Sequence, residues 1–240
     1  MTNLCVPNAT IPATNGDMNV YVAHPAGQAR ATVLIMVELW GLTEHMAEVS
    51  ERLAGEGYCA VALDLFRGAS PPRPSDPSEK WAATFDTFDD VRATRDCRYA
   101  AQWLMSGSAG FDAGPVFAWG FCMGGRFAHN LGAFEPRLSG VINFYGRINF
   151  PRMENKPFLP VELTAMIACP YLGAFAESDP LIPSTDLDAL RTGLIDNPDR
   201  TVEEYVGADH AFFNDHRDTY HPGVAAKAWQ EVNCFLERLC

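Results

Sequence analysis

The stretch Trp119-Gly120-Phe121-Cys122-Met123-Gly124-Gly125 decides how this chain folds and where its chemistry is expected. A short apolar run at residues 116–119 predicts a buried strand, and residues 123–132 can continue as a helix. A glycine two positions before Cys122 and another two positions after it permit a very sharp turn, because neither carries a Cβ atom that would collide there. The spacing predicts a nucleophile elbow with a thiol at its apex.

Cys122 would lie at the N-terminus of the predicted helix. Unpaired backbone N–H groups and the helix macrodipole favour negative charge there, so the position favours the thiolate, which is the reactive form of cysteine. The alternative is an inert thiol buried in the core, the commoner state of a single cysteine. The six cysteines that lack paired glycines at such a turn illustrate that alternative: Cys5, Cys59, Cys97, Cys169, Cys234 and Cys240.

Length and composition exclude several classes of protein. A chain of 240 residues can bury a large core as one domain spanning residues 1–240. Its 30 acidic and 18 basic side chains give a net charge of −12, and no basic patch is visible, so we expect no nucleic-acid partner. No signal peptide or membrane-spanning run is evident, and the seven cysteines form no CxxC pair. These features predict a cytoplasmic protein with no membrane contact.

The rest of the chain alternates predicted strands with predicted helices. An Asn15-Gly16 turn predicts an antiparallel hairpin near the N-terminus, and a segment with Phe88, Val91, Tyr99 and Trp103 on one face predicts a surface helix. The predicted strands after the hairpin are residues 32–37, 59–63, 116–119, 138–145, 169–175 and 201–205. This alternation predicts an α/β fold with a mostly parallel central sheet and helices on both faces, whose ligands bind beyond the carboxyl ends of the strands.

Three candidate catalytic residues each follow a different predicted strand. Cys122, Asp179 and His210 occur in the chain order nucleophile, acid, histidine, which is the order of the α/β-hydrolase triad. The thiolate would attack an acyl carbon, the imidazole would exchange the proton, and the carboxylate would orient the imidazole. Several alternatives remain open for the acid and the base: Glu177, Asp209, His24, His45, His129, His216 and His221.

Two further features point to the same end of the sheet. Met123, directly after the nucleophile, and Leu39, after the strand at 32–37, are the predicted backbone donors of an oxyanion hole. Glu38 ends that very apolar strand, where burial would favour the neutral acid and let it hold or accept a proton near neutral pH. The alternative for Glu38 is an exposed carboxylate at a strand end.

Several short motifs make the chain resemble a known family over residues 19–236. They are Glu38-Leu39-Trp40-Gly41, Asp64-Leu65-Phe66, Gly120-Phe121-Cys122-Met123-Gly124-Gly125, Phe144-Tyr145-Gly146, Ser178-Asp179-Pro180 and Asp209-His210-Ala211-Phe212. Together they resemble the dienelactone hydrolases, or carboxymethylenebutenolidases, of the α/β-hydrolase superfamily. The resemblance implies hydrolysis of dienelactones to maleylacetate in aromatic compound degradation, without a cofactor. It also implies that Glu38 contacts the resting thiol and takes its proton when substrate binds.

The resemblance also implies a substrate pocket, which we expect at Trp40, Trp81, Phe121 and Tyr145. Family members bind the substrate carboxylate with an arginine four positions after the histidine, where this chain has Asn214, and with another cation, for which Arg73 or Lys80 is available. A carboxylate would be held less strongly without two cations.

The predicted function is hydrolysis of a lactone or small ester through a cysteine thioester. A broad carboxylesterase or thioesterase on the same fold and a catalytically silent binding scaffold are the alternatives. A metal site built from Asp209, His210, Asp215, His216 and His221 matches no standard ligand spacing, so no metal is predicted. The expected partner is a small-molecule substrate, and the expected assembly is a monomer or small homo-oligomer.

Overall fold

The computed structural model describes residues 3–107 and 114–240, which build one eight-stranded sheet in the order β1-β2-β4-β3-β5-β6-β7-β8. The first two strands form an antiparallel hairpin, β2 runs antiparallel to β4, and the remaining neighbours are parallel. The strands are β1 (Ala9–Ala13), β2 (Gly16–Ala23), β3 (Thr32–Met36), β4 (Cys59–Leu63), β5 (Val116–Phe121), β6 (Gly140–Phe144), β7 (Tyr171–Ala176) and β8 (Arg200–Tyr205). The predicted mostly parallel α/β sheet is confirmed.

Helices connect the strands and close both faces of the sheet. The helices are α1 (Glu44–Gly55), α2 (Ser78–Thr87), α3 (Asp90–Met105), α4 (Met123–Phe134), α5 (Pro160–Leu163), α6 (Ser184–Gly193) and α7 (Pro222–Leu239), with a 3₁₀ turn at Thr164–Met166 after α5. Within residues 3–107 and 114–240, no helix combines the length and the apolar character needed to cross a bilayer.

The side chains of β5 show how the two faces are divided. Phe117 meets Phe235 of α7 at a ring-centroid distance of 6.2 Å, and Trp119 meets Trp229 of the same helix at 5.9 Å. Side chains alternate along a strand, so Ala118 and Gly120 face the other side, which α4 covers. Bulky residues therefore fill the α7 side of this strand, whereas small residues let α4 approach its backbone closely.

The helix that precedes the elbow strand departs from its predicted packing face. We expected Tyr99 and Trp103 on the buried face, but Tyr99 is exposed and Trp103 is only partly buried. The buried face of α3 instead carries mostly small residues, including Ala93, Cys97, Ala100, Ala101 and Leu104. Small side chains allow α3 to pack closely against the sheet and α4, so the face that carries them is the buried face. Phe88 lies before α3 and is buried.

A buried group of charged side chains holds α4 against its neighbours. Arg126 of α4 donates to Asp90 of α3 at 2.8 Å, and the Lys156 ammonium lies 3.6 Å from the same carboxylate. All three residues are buried. Removing one partner of such a group would leave an uncompensated buried charge, which typically costs about 3–5 kcal/mol. The group therefore connects α3, the elbow helix and the loop before α5.

The glycines around Cys122 are required by backbone contacts. A Cβ atom on Gly124 would lie 2.0 Å from the Met36 carbonyl oxygen, and one on Gly120 would lie 2.1 Å from the Gly124 carbonyl oxygen. Both distances are far inside van der Waals contact, and backbone atoms cannot swing aside as the end of a side chain can. The first turn of α4 therefore rests directly on the end of β3 and on β5.

We expect Gly124→Ala to lower the free energy of unfolding by more than about 3 kcal/mol, the upper end of ordinary overpacking, because the clash is with backbone. Urea denaturation monitored by circular dichroism measures the change. Gly55→Ala is the matched control: Gly55 ends α1, and a Cβ atom there meets nothing within 4 Å. That change should be neutral or stabilise the fold by up to about 1 kcal/mol. Equal stabilities of the two variants would contradict the argument.

Candidate active site

Cys122, Asp179 and His210 meet beyond the carboxyl ends of β5, β7 and β8. The Cys122 Sγ atom lies 3.1 Å from His210 Nε2, and His210 Nδ1 lies 2.6 Å from the Asp179 Oδ2 atom. Cys122 and His210 are 88 positions apart in the sequence, and Asp179 and His210 are 31 positions apart. The geometry has the nucleophile within hydrogen-bond reach of a base, and the base held by an acid, as nucleophilic catalysis requires.

Cys122 has a strained backbone at the apex of the turn. Its φ is +52° and its ψ is −114°, a conformation that costs a residue with a side chain on the order of 1–3 kcal/mol. Two hydrogen bonds hold it: the Cys122 N–H donates to the Phe144 carbonyl, and the Gly125 N–H donates to the Cys122 carbonyl, both at 3.0 Å. The turn places the thiol at the N-terminus of α4, partly exposed.

The environment of His210 favours its charged form. Burial alone would lower the pKa of His210, but attraction to the Cys122 sulfur and the hydrogen bond that His210 donates to Asp179 outweigh it and raise the pKa to about 10. His210 therefore stays protonated at neutral pH, and the Asp179 carboxylate stabilises the imidazolium. A positive charge beside a cysteine favours the thiolate, which is the reactive form.

The turn that follows Asp179 holds its carboxylate in place. The Leu181 N–H donates to the Asp179 Oδ1 atom at 2.9 Å, which leaves Oδ2 for His210. The two alternative acids lie elsewhere: Asp209 is exposed, and Glu177 accepts from the Gly207 N–H.

The alternative histidines also have other partners. His129 is fully buried and contacts the Tyr171 hydroxyl and the Pro160 carbonyl. His221 accepts from the Val224 N–H at the start of α7, and His24 lies near Cys59. His45 and His216 meet each other on α1 and the loop after β8, with the carboxylates of Glu48 and Asp215. Within the described ranges, the geometry supports His210 as the base.

Glu38 is buried, with 1% of its surface exposed, and accepts two hydrogen bonds. The Asn214 Nδ2 group donates to the Glu38 Oε2 atom at 2.7 Å, and the Tyr145 hydroxyl donates to Oε1 at 3.5 Å. The His216 N–H donates to Asn214 Oδ1 at 3.0 Å, which orients the amide toward Glu38. The resemblance implied a contact of this glutamate with the thiol, whereas in this structure the thiol pairs with His210.

Burial and neighbouring negative charge also act on Tyr145. Desolvation, with Glu38 and Cys122 adding repulsion, raises the pKa of Tyr145 well above its ordinary value. The hydroxyl therefore stays protonated and remains a donor to Glu38. The Tyr145 ring also packs edge-on against the His210 imidazole at a centroid distance of 5.3 Å.

The predicted oxyanion donors flank the thiol. Met123 is the first residue of α4, where N–H groups have no partner within the helix. Leu39 follows Glu38 after the end of β3, and the close contact of Gly124 with the Met36 and Val37 carbonyls brings that strand end to the elbow. The roles of Leu39 and Met123 stay predictions.

The residues predicted at the substrate pocket fall into two groups. Trp40 and Arg73 line a cavity of about 530 Å³, and Trp81 packs edge-on against Trp40 at a centroid distance of 5.3 Å. The Trp81 indole N–H donates to the Arg73 carbonyl at 2.9 Å. Three predictions need correction. Phe121, Tyr145 and Asn214 are all fully buried and have no surface for a ligand; Phe121 packs among the core aromatics, whereas Tyr145 and Asn214 donate to Glu38.

One cation beside this site was missed by the sequence reasoning. The Arg217 guanidinium stacks on the Trp40 ring at 4.8 Å, and its charge lowers the pKa of Tyr145, against the larger effect of burial. Its buried Nη1 atom has no hydrogen-bond partner among the described residues. The available signal was an arginine in the same loop as His210, seven positions later, but only packing places it over Trp40.

Comparison with known proteins identifies the family of the chain. The profile of the dienelactone hydrolase family matches residues 18–240. A Salmonella typhi protein named "Putative carboxymethylenebutenolidase" is 30% identical over 93% of this chain and 83% of its own length. A Bradyrhizobium protein named "Probable 2-oxo-3-(5-oxofuran-2-ylidene)propanoate lactonase" is 31% identical over 95% and 92%.

A solved structure from Klebsiella pneumoniae, described as a "Putative Dienelactone Hydrolase", superposes with a TM-score of 0.86. It is 29% identical in sequence, and the match covers 96% of this chain and 99% of that one. The sequence match and the shared architecture cover the strands, turns and loops that carry the candidate site. The chain therefore belongs to the dienelactone hydrolase family and is a hydrolase that acts on ester or lactone bonds.

Proposed function

We propose that this chain hydrolyses lactones or small carboxylic esters through a thioester on Cys122, with His210 and Asp179 completing the triad. The observation that carries the proposal is the continuous contact from Cys122 Sγ through His210 to Asp179 at a strained strand-to-helix turn. A mere core cysteine has no need of a positive φ or of a protonated imidazole beside it. A silent scaffold would likewise have no reason to retain that strain.

The reaction divides into two steps. The Cys122 thiolate attacks the acyl carbon, and the N–H groups of Leu39 and Met123 stabilise the oxyanion. As the C–O bond breaks, the His210 imidazolium gives its proton to the leaving oxygen, which in a lactone stays on the acyl chain. His210, now neutral, takes a proton from water, and the resulting hydroxide attacks the thioester. The thiolate is expelled, the carboxylic acid product leaves and loses its proton to solvent, and the thiolate–imidazolium pair is restored.

We assign Glu38 the role of accepting the thiol proton when Cys122 enters the cycle protonated. Glu38 and Cys122 both raise the pKa of Tyr145 by electrostatic repulsion, so the two groups lie near it at the same end of the sheet. Asn214 and Tyr145 solvate the Glu38 carboxylate with neutral donors, so no cation competes for it. The two neutral hydrogen-bond donors on Glu38 support this role, because they leave the carboxylate able to take up a proton.

The substrate class is a lactone that bears a carboxylate, and Arg217 is its proposed partner. Asn214 is turned to Glu38 and lies too deep to meet substrate, whereas the Arg217 Nη1 group is buried and unpaired within the described chain. The substrate named for the Bradyrhizobium relative is itself a lactone with a carboxylate group. The second candidate is a broad carboxylesterase or thioesterase, which the neutral Asn214 at the position of a family arginine favours.

Cys122→Ala should lower kcat/KM by more than about 10³-fold while leaving the fold intact, because the nucleophile is lost and only binding and the oxyanion hole remain. Steady-state hydrolysis of cis- and trans-dienelactone beside p-nitrophenyl acetate measures this. The exposed Cys234 provides the control Cys234→Ala, which should be fully active. Dienelactone turnover equal in wild type and Cys122→Ala would refute the thioester mechanism, and turnover of the simple ester alone would favour the carboxylesterase.

The His210 imidazole should titrate near pH 10 in NMR spectra of the wild type and much closer to its ordinary pKa of 6.5 in Cys122→Ser, because a neutral hydroxyl removes the attraction. Because folding raises the pKa of His210, its protonation stabilises the fold fully below about pH 6.5, and this contribution is lost as the pH rises through about 10. Cys234→Ser should leave the titration unchanged. The same pKa in wild type and Cys122→Ser would remove the case for a thiolate–imidazolium pair.

Arg217→Gln should raise KM for a dienelactone by about 10- to 100-fold, which corresponds to the loss of charge-assisted hydrogen bonds to the carboxylate. Hydrolysis of p-nitrophenyl acetate, which has no carboxylate, should change by less than about twofold. Arg191→Gln, on the surface of α6, is the matched control and should affect neither substrate. An equal loss on both substrates in Arg217→Gln would show that Arg217 supports the fold of the site rather than substrate binding.

A further inference from the structure

Four potential metal ligands converge beside the candidate active site from two separate parts of the chain. His45 and Glu48 lie three positions apart in α1 and so share a face of that helix. Asp215 and His216 come from the loop that follows His210. One ligand atom from each of the four lies within 4.8 Å of the others. This set differs from the one considered from sequence, because two of its members come from α1.

The distances within this cluster are close to those of a coordination shell. His216 Nε2 lies 2.8 Å from Glu48 Oε2 and 3.8 Å from Asp215 Oδ1, and His45 Nδ1 lies 3.1 Å from Asp215 Oδ1. Ligands bound at about 2.0–2.1 Å around a tetrahedral ion lie roughly 3.3 Å from one another. Small side-chain rotations would therefore bring all four atoms around one ion.

The charges of the cluster also suit a cation. Metals bind the neutral form of an imidazole, and His45 and His216 each offer one ring nitrogen to the cluster. The two carboxylates then give the site an excess of negative charge. Arg52 of α1 stacks with its guanidinium 3.8 Å over the Trp229 ring and also lines the cavity beside the cluster. Two imidazoles with two carboxylates are ligands typical of Zn²⁺.

A cavity adjoins the cluster. It measures about 170 Å³, and His45, Glu48 and Asp215 are among its lining residues, with Arg52, Phe213 and Tyr220. A water molecule occupies about 30 Å³ of liquid, so an ion and water ligands would fit.

We propose that His45, Glu48, Asp215 and His216 bind one Zn²⁺ ion that joins the loop after β8 to α1. The site goes beyond the proposed hydrolysis and does not depend on it. Its effect would reach Glu38 through two hydrogen bonds. The His216 N–H donates to Asn214 Oδ1, and Asn214 Nδ2 donates to Glu38. The ion would thus fix the segment that positions the buried carboxylate.

Zinc titration of the metal-free protein by calorimetry tests the site, in a Cys122→Ala background that removes the thiolate–imidazole pair as a competing ligand. We expect one saturable Zn²⁺ per chain. Glu48→Gln and His216→Gln should each weaken binding by at least about tenfold, since even the loss of an outer-shell partner costs 10- to 100-fold. Glu56→Gln, an exposed carboxylate just after α1, should stay within about twofold. His45 is left intact because it is buried.

Two further measurements separate this site from adventitious binding. Co²⁺ bound at the cluster should show no sulfur-to-metal charge-transfer absorption, which excludes the exposed Cys234 and Cys240 as ligands. Zn²⁺ should slow backbone hydrogen exchange at residues 211–220 in the Cys122→Ala protein, and should not do so when Glu48→Gln is added. The proposal would be overturned if Zn²⁺ did not bind stoichiometrically or if Co²⁺ showed sulfur ligation. It would also be overturned if Glu48→Gln and His216→Gln bound Zn²⁺ as tightly as the Cys122→Ala parent does.

Discussion

The close contact between the first turn of α4 and the end of β3 is the constraint on which the site depends. Gly124 lies against the Met36 and Val37 carbonyls so closely that no side chain fits between them. This contact brings the residues that follow β3, Glu38 and Leu39, to the apex where Cys122 ends β5. The same crowding forces Cys122 to a positive φ, and the hydrogen bond to the Phe144 carbonyl holds it there. Backbone sterics thus bring the candidate nucleophile, the predicted oxyanion donors and the buried Glu38 together.

Charge balance within the site follows from which groups have neutral partners. Burying charge is costly, and in the candidate triad the Asp179 carboxylate balances the His210 imidazolium, whose other ring nitrogen lies against the Cys122 sulfur. Glu38 is solvated instead by the Asn214 amide and the Tyr145 hydroxyl. Asn214 stands where the family resemblance led us to expect an arginine, and the structure has Arg217 over Trp40. Glu38 therefore has a neutral amide as its partner, and the arginine of the same loop lies over Trp40 instead.

Much of the fold could be predicted because its signals are local. Strands buried on both faces are continuous apolar runs, and those at residues 32–37 and 59–63 match β3 and β4 to within one residue. The packing face of α3 could not be predicted in the same way. Large aromatics suggested one face, but the helix packs so closely that small residues line its buried side and Tyr99 faces solvent. The prediction that Phe121 lines the substrate pocket was wrong for a related reason, because alternation along β5 turns its ring into the core.

The sequence by itself determined the elbow and the order of the triad residues. Glycine spacing and the succession of strands act over a few residues, so their consequences can be read without knowing what else lies nearby. Only the tertiary structure decided that Asn214 serves Glu38, that Arg217 covers Trp40, and that His45 and Glu48 meet Asp215 and His216. These contacts join residues as many as 176 positions apart. They depend on how α1 and the loop after β8 pack on the sheet, because side chains on separate elements meet only where packing brings their backbones together.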